Sequence, residues 1–250
     1  ILVTMGAFFL SYGGLLVKSF EGSDLWQILL YRSIFCFLTV GVFLFFTYKK
    51  ETFNKFKVSG FPGFLAGFCI SLGFTAYVFA MYNTTVANVN FTITTQTIFL
   101  AIFGYIFLKE KISIHTWISI AFAALGITIM AMNNQKIGNM SGFIFGLISA
   151  FGFSIYSISL RWRKETPQFT TVSLAGLICV LFSIYMIIQS NNNLFSSSKN
   201  EILFSLHGAL VCIGLILYSI GSKHLPAADL TLLSLTEVIG GIFWVWLPLF

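Results

Sequence analysis

Residues 60–107 read GFPGFLAGFCISLGFTAYVFAMYNTTVANVNFTITTQTIFLAIFGYIF, two apolar runs (60–81 and 86–107) with Tyr82, Asn83, Thr84 and Thr85 between them. A helix that crosses the hydrocarbon core of a bilayer needs about 20 mostly apolar residues, so each run is long enough to span. A helix of a soluble domain keeps its apolar residues to one stripe, and here they are not confined to one. Extending the reading outward marks nine such runs, at 1–19, 25–47, 60–81, 86–107, 114–132, 141–160, 169–189, 203–221 and 226–248. Their separators carry turn and cap chemistry. Asp24 and Gln27 have capping-box spacing, Asn133 and Asn134 follow the fifth run, Thr166 precedes Pro167, a polar tract covers 191–198, and Pro226 opens the last run.

The quoted stretch recurs. An offset of 141 lays it on residues 201–248 without a gap and pairs Leu65 with Leu206, Gly67 with Gly208, Gly73 with Gly214, Tyr77 with Tyr218, Ala87 with Ala228 and Thr95 with Thr236. Two polar pairs match in kind, Asn88 with Asp229 and Gln96 with Glu237. Five helices per half give the second half the opposite orientation in the membrane, and inverted repeats of this kind place a substrate site at their interface near the midplane. The expected fold is an all-α polytopic membrane bundle, with a first repeat at 1–132 and a second at 141–250. Under the offset Phe250 is the partner of Lys109, so a tenth helix, the counterpart of 114–132, is expected beyond the C-terminus. The opening at Ile1, already inside an apolar run, suggests that sequence is missing there too.

Composition points the same way. Of 250 residues, 57% are hydrophobic and 9% charged, where an ordinary soluble domain carries about 25% charged residues. The net charge of +6 does not indicate nucleic acid, because of the 14 Lys and Arg all but Arg32, which lies inside the second run, sit in or at the edge of short loops between apolar runs. Ten of them fall on one side: Lys49, Lys50, Lys55, Lys57, Lys109, Lys111, Arg161, Arg163, Lys164 and Lys223. Only Lys18, Lys136 and Lys199 fall on the other, which puts the lysine-rich side in the cytoplasm. Cys36, Cys69, Cys179 and Cys212 each lie in a separate run without Cys-x-x-Cys spacing, so they read as small buried hydrophobes.

Residues 94–113, TTQTIFLAIFGYIFLKEKIS, followed by 124–129, ALGITI, resemble the fourth and fifth helices of EamA-like members of the drug/metabolite transporter superfamily. Residues 234–247, SLTEVIGGIFWVWL, resemble the ninth. The resemblance implies ten helices in two inverted five-helix repeats and the export of amino acids or related metabolites. Members often carry Glu-Pro in the fourth and ninth helices; here Gln96 is followed by Thr97 and Glu237 by Val238, so the resemblance carries over no proline hinge.

Ionisable groups at membrane depth are functional candidates, because one at a helix centre costs about 2.5 to 3.5 kcal/mol on insertion scales. Glu237 lies roughly ten residues into the last run, about 15 Å deep at 1.5 Å per residue. Gln96 is its repeat partner, and inversion about an in-plane axis lets both reach one midplane cavity. Glu237 would bind a substrate amino group or a coupling proton, or else make a structural hydrogen bond. Arg32, about two turns into the second run, suits either a substrate carboxylate or a structural pair. Tyr77 and Tyr218 are aromatic walls with hydroxyls, or packing. Asn88 and Asp229 lie in first turns, where Asp229 also suits the helix dipole. His115 and His207 fall near span ends and His224 in a loop, without metal-ligand spacing.

The expected function is a secondary transporter, an exporter in a bacterial inner membrane that works by alternating access. Its expected partners are a small-molecule substrate, the lipid bilayer, a coupling proton and a second copy of the chain, with no nucleic acid, metal or cofactor. The alternatives are a multispan acyl or prenyl transferase, or a passive channel or assembly subunit. Against the enzyme, the sequence has no His-Glu-x-x-His, Asp-rich motif, P-loop or Gly-x-Ser-x-Gly.

Overall fold

The computed structural model describes residues 1–20, 22–111, 113–134, 140–162, 168–195, 198–225 and 227–247. In chain order these form α1 (Leu2–Lys18), α2 (Leu25–Tyr48), a 3-10 turn (Lys49–Glu51), α3 (Thr52–Asn83), α4 (Val86–Ile93), α5 (Thr95–Leu108), α6 (Ile114–Asn134), α7 (Met140–Trp162), α8 (Gln168–Gln189), α9 (Ser198–Ser222) and α10 (Ala227–Trp246). Each of the nine expected runs is helical, and the fourth is divided between α4 and α5. Leu25–Asn83, which holds two helices, and Val86–Leu108, Met140–Trp162, Phe169–Gln189 and Asn200–Ser222 are long and apolar enough to cross a membrane. The outside of the bundle is as apolar as its inside: Phe61 is 74% exposed and Ile239 69%. Faces this greasy belong in lipid. The chain is a polytopic helical membrane protein.

Local chemistry sets the helix ends and bends. The Asp24 carboxylate accepts from the Trp26 N–H at 3.3 Å while the Asp24 N–H donates to Gln27 Oε1 at 3.0 Å, which forms the expected capping box of α2. The third span begins earlier than its apolar run, at Thr52, and bends at Gly60, where φ is 53° and ψ −157°. That left-handed backbone strains any L-side chain and suits glycine. The fourth span breaks at Thr94 without proline. The hydroxyls of Thr94, Thr95 and Thr97 each bond back to the carbonyl three residues earlier, at 2.6 to 2.7 Å, and the Thr97 N–H reaches the Thr94 carbonyl at 3.0 Å. Bonds of that span tighten the helix into a 3-10 turn.

The most extensive packing joins α3 to α7, α1 to α9, α2 to α8 and α1 to α10. Each of these pairs takes one helix from each half of the chain, so the halves interleave rather than stand side by side. Small residues let the backbones meet, as tight interfaces in a membrane require. A Cβ on Gly152 of α7 would lie 2.5 Å from the Cys69 carbonyl and 3.1 Å from the Gly73 nitrogen of α3. A Cβ on Gly6 of α1 would lie 2.7 Å from the Gly214 carbonyl of α9. Gly67 likewise rests on the Thr171 backbone of α8, and Gly208 on the Arg32 backbone of α2.

The α2–α9 crossing at Gly208 corrects the reading of the cysteines. Cys36 and Cys212, 176 residues apart, are joined as a disulfide with a Cα–Cα distance of 5.4 Å, and Cys69 and Cys179 are free. Their separate apolar runs gave no spacing signal, and only helix packing brings the pair together.

Gly152→Val should force α3 and α7 apart and lower stability by about 1 to 3 kcal/mol, the usual cost of overpacking. Gly41→Ala, with nothing within 4 Å of the new methyl group, serves as the control. Apparent unfolding midpoints in one detergent report the difference, and equal midpoints would show that the glycine contact does not matter.

Candidate functional site

Helices α1, α2, α3, α4, α5, α7, α9 and α10 meet around a cavity of about 50 Å³. At about 10 to 15 Å³ per water centre this holds a few waters. Its apolar lining includes Leu10, Ile70, Phe74 and Phe153, and its polar groups come from Arg32, Tyr77, Gln96, Ser149 and Glu237. Arg32 is 4% exposed and Gln96 3%.

Arg32 is the dominant charge. Its Nη1 donates to the Phe74 carbonyl at 3.3 Å, and the guanidinium carbon lies 4.9 Å from the Phe74 ring centroid and 5.5 Å from that of Tyr77. Among the described residues, the ion pairs are Lys55–Glu51 and Arg161–Glu110, so no carboxylate reaches Arg32 at pairing distance. Glu237 lines the same cavity and is not part of an ion pair among those residues either. One carbonyl and two ring faces compensate a desolvated guanidinium only in part, because burying an ion costs several kcal/mol. The cavity therefore presents one cation and one ionisable acid that are not spent on each other.

Four of the seven residues singled out by sequence, Arg32, Tyr77, Gln96 and Glu237, are brought together here. The other three lie elsewhere. Tyr218 is buried outside the lining, with its hydroxyl 3.1 Å from Ser157 Oγ and its ring 5.3 Å from that of Phe153. Asn88 serves the start of α4, where its N–H donates to Thr85 Oγ1 at 3.2 Å and its side chain to Thr84 Oγ1 at 3.0 Å. Asp229 is exposed in the first turn of α10. Nothing in the sequence signals Ser149 or the α1 wall, because a lone serine or glycine in an apolar run looks like packing. His207 also differs from expectation. Since α9 starts at Ser198 and not near 203, His207 sits well inside the helix and is fully buried. Among the described residues no cluster of His, Cys, Asp and Glu could hold a metal.

Both ends of the bundle are latched between halves. At the lysine-rich end Arg161 pairs with Glu110, and Ser59 Oγ lies 2.5 Å from Thr170 Oγ1. At the opposite end Gln27 Nε2 donates to the Asn193 carbonyl at 2.6 Å, Asn192 Nδ2 to Asp24 Oδ2 at 3.0 Å and Asn200 Nδ2 to Ser23 Oγ at 2.7 Å. The rings of Trp26, Phe79 and Phe182 pack there as well.

Residues 1–132 match the model of the EamA-like transporter family. The chain is similar to an "Uncharacterized transporter YojE" of Bacillus subtilis, 23% identical over 209 residues that cover 80% of this chain and 68% of the relative. It is also similar to an "Uncharacterized transporter" of Haemophilus influenzae, 27% identical over an alignment of 256 positions that covers 96% of this chain and 82% of the relative.

The Arg161–Glu110 pair should act as one unit. Arg161→Glu or Glu110→Arg alone should lower the unfolding midpoint, and the double swap should recover most of the loss. A double swap no better than the worse single variant would show that the latch is not an interaction between these two side chains.

Proposed function

Because the chain belongs to the EamA-like transporter family, a family of membrane transporters and not of enzymes, we propose that it exports a small zwitterionic metabolite of the amino acid class across a bacterial inner membrane, by alternating access around the Arg32–Glu237 cavity. The observation that carries this reading is the pair of unspent groups lining one cavity. A substrate carboxylate supplies the anion that Arg32 lacks, and a substrate ammonium suits Glu237. Gln96 offers both donor and acceptor beside them without net charge. The sequence carries no nucleotide-binding loop, so the energy source is an ion or substrate gradient. Glu237 is the group suited to couple flux to protons, taking up a proton when the substrate ammonium leaves.

The packing supports an inverted repeat. Pair α1 with α7, α2 with α8, α3 with α9, and α4–α5 with α10. The exchange then turns the α3–α7 contact into α9–α1, the α3–α8 contact into α9–α2, and the α1–α10 contact into α7 with α4 and α5, and each of these is formed. The matched glycines obey the same rule. Gly73 meets α7 where Gly214 meets α1, and Gly67 meets α8 where Gly208 meets α2. The matched tyrosines also obey it in their partners, since Tyr77 Oη faces α1 at Gly13 and Tyr218 Oη faces α7 at Ser157. They differ in one respect: Tyr77 lines the cavity and Tyr218 is packed shut. Alternating access follows if the two tyrosines exchange these environments during transport.

A cavity this small also means that loading requires helix movement. The Thr94 turn beside Gln96 supplies a bend in the first half, in place of the proline that the family often has.

Proteoliposomes of the full-length protein, screened with labelled amino acids, test the proposal. Arg32→Gln should raise KM about tenfold or more, matching the loss of one charge-assisted hydrogen bond of about 1.5 to 3 kcal/mol. Glu237→Gln should abolish proton-coupled flux and flatten its pH dependence. Wild-type rates with an unchanged pH profile in Glu237→Gln would remove the acid from the mechanism.

A further inference from the structure

His207 is fully buried on α9, and neither ring nitrogen has a hydrogen-bond partner. Buried polar atoms are nearly always paired, so two open nitrogens on one imidazole call for an explanation. The surroundings of the ring are specific. Its centroid lies 5.9 Å from that of Phe20, and it is within electrostatic reach of Arg32. A Cβ on Gly13 would lie 3.7 Å from His207 Nε2 and 2.9 Å from Tyr77 Oη, so imidazole and phenol both reach the notch that this glycine leaves, and the phenol oxygen packs closely against it. Gly13 and Tyr77 line the cavity, and His207 lies just outside its lining; a side chain on Gly13 would press on the Tyr77 hydroxyl.

The groups around the notch share one chemistry. Arg32 is a cation whose guanidinium stands 5.5 Å from the centroid of the Tyr77 ring. Among the described residues the Tyr77 hydroxyl makes no hydrogen bond, and it can donate one. A neutral imidazole has one N–H donor of its own. No acid lies at pairing distance of Arg32 among those residues. Glu237 lines the same cavity but belongs to α10, whereas the notch is built from α1, α2, α3 and α9.

We propose that Arg32, Tyr77 and His207 form a carboxylate-binding subsite at the Gly13 notch, with His207 as its specificity-determining member. The subsite rests on the transport reading above and sharpens it. One substrate oxygen faces the guanidinium, and the other enters the notch between phenol and imidazole. The opposite charge of the substrate is left to Glu237. A ligand with a carboxylate accepts from all three donors, while an ammonium of the same size can accept from none and is repelled by the guanidinium. Gly13 sets the tolerance of the subsite, because a methyl group there would push aside the Tyr77 hydroxyl that the carboxylate must reach.

Two measurements test this. In the first, His115→Gln and His224→Gln leave His207 as the only histidine, and its imidazole nitrogens are followed by NMR in the intact, reconstituted protein. Glycine and acetate should shift those signals and methylammonium should not; adding Gly13→Ala should abolish the acetate shift while helicity and unfolding midpoint stay close to the parent. His207 signals unmoved by saturating glycine and acetate overturn the subsite, and so does an equal shift with methylammonium. In the second, His207→Leu is assayed with the labelled amino acid that the wild type carries fastest. KM should rise about tenfold with maximal rate within about twofold, the pattern of lost binding. An unchanged KM overturns the subsite. If the wild type carries no amino acid, the transport reading fails by itself, and the acetate shift still decides whether the notch binds a carboxylate.

Discussion

A guanidinium inside a membrane bundle cannot be solvated by water at will, and everything around Arg32 follows from that restriction. Helix α2 carries it into the interior, where the Phe74 carbonyl and two aromatic faces take part of its charge. The part left over has no acid beside it among the described residues. Placing a charge at this depth without a partner is costly. In a membrane protein such a cost is commonly borne where a ligand completes the site.

The cavity exists because backbones approach closely everywhere around it. Gly73 against Gly152, and Gly6 against Gly214, bring α3 to α7 and α1 to α9 without intervening side chains. Between these two seams the polar groups of five helices can converge while the exterior stays apolar. The latches are chemically unequal. One end is held by an Arg–Glu pair and a pair of hydroxyls, and the other by amides, a hydroxyl and edge-to-face rings.

Much of this was legible in the sequence because the bilayer imposes a simple rule of length and apolarity. The runs and the Asp24–Gln27 cap could be read along the chain, and the convergence of Gln96 with Glu237 on one cavity from residues 60–107 and their echo at 201–248. Other features could not. The Thr94 break comes from hydroxyls bonding back to the backbone, and four threonines near one another do not announce a turn as proline does. The Gly60 bend depends on a backbone angle that one glycine among 21 does not reveal. The Cys36–Cys212 pair and the depth of His207 arise from how α2 and α9 cross, which is a tertiary fact. Tyr218 shows the converse limit: the offset of 141 pairs it with Tyr77, but a match in sequence does not make both line one cavity.

Access to the matched tyrosines tests the account most directly. With the four native cysteines replaced by alanine, Tyr77→Cys and Tyr218→Cys are each exposed to an impermeant maleimide from either face of sealed vesicles. Tyr77→Cys should react only from the face opposite the lysine-rich end, and Tyr218→Cys only from the lysine-rich face. Reaction of both from one face would contradict alternating access around this cavity.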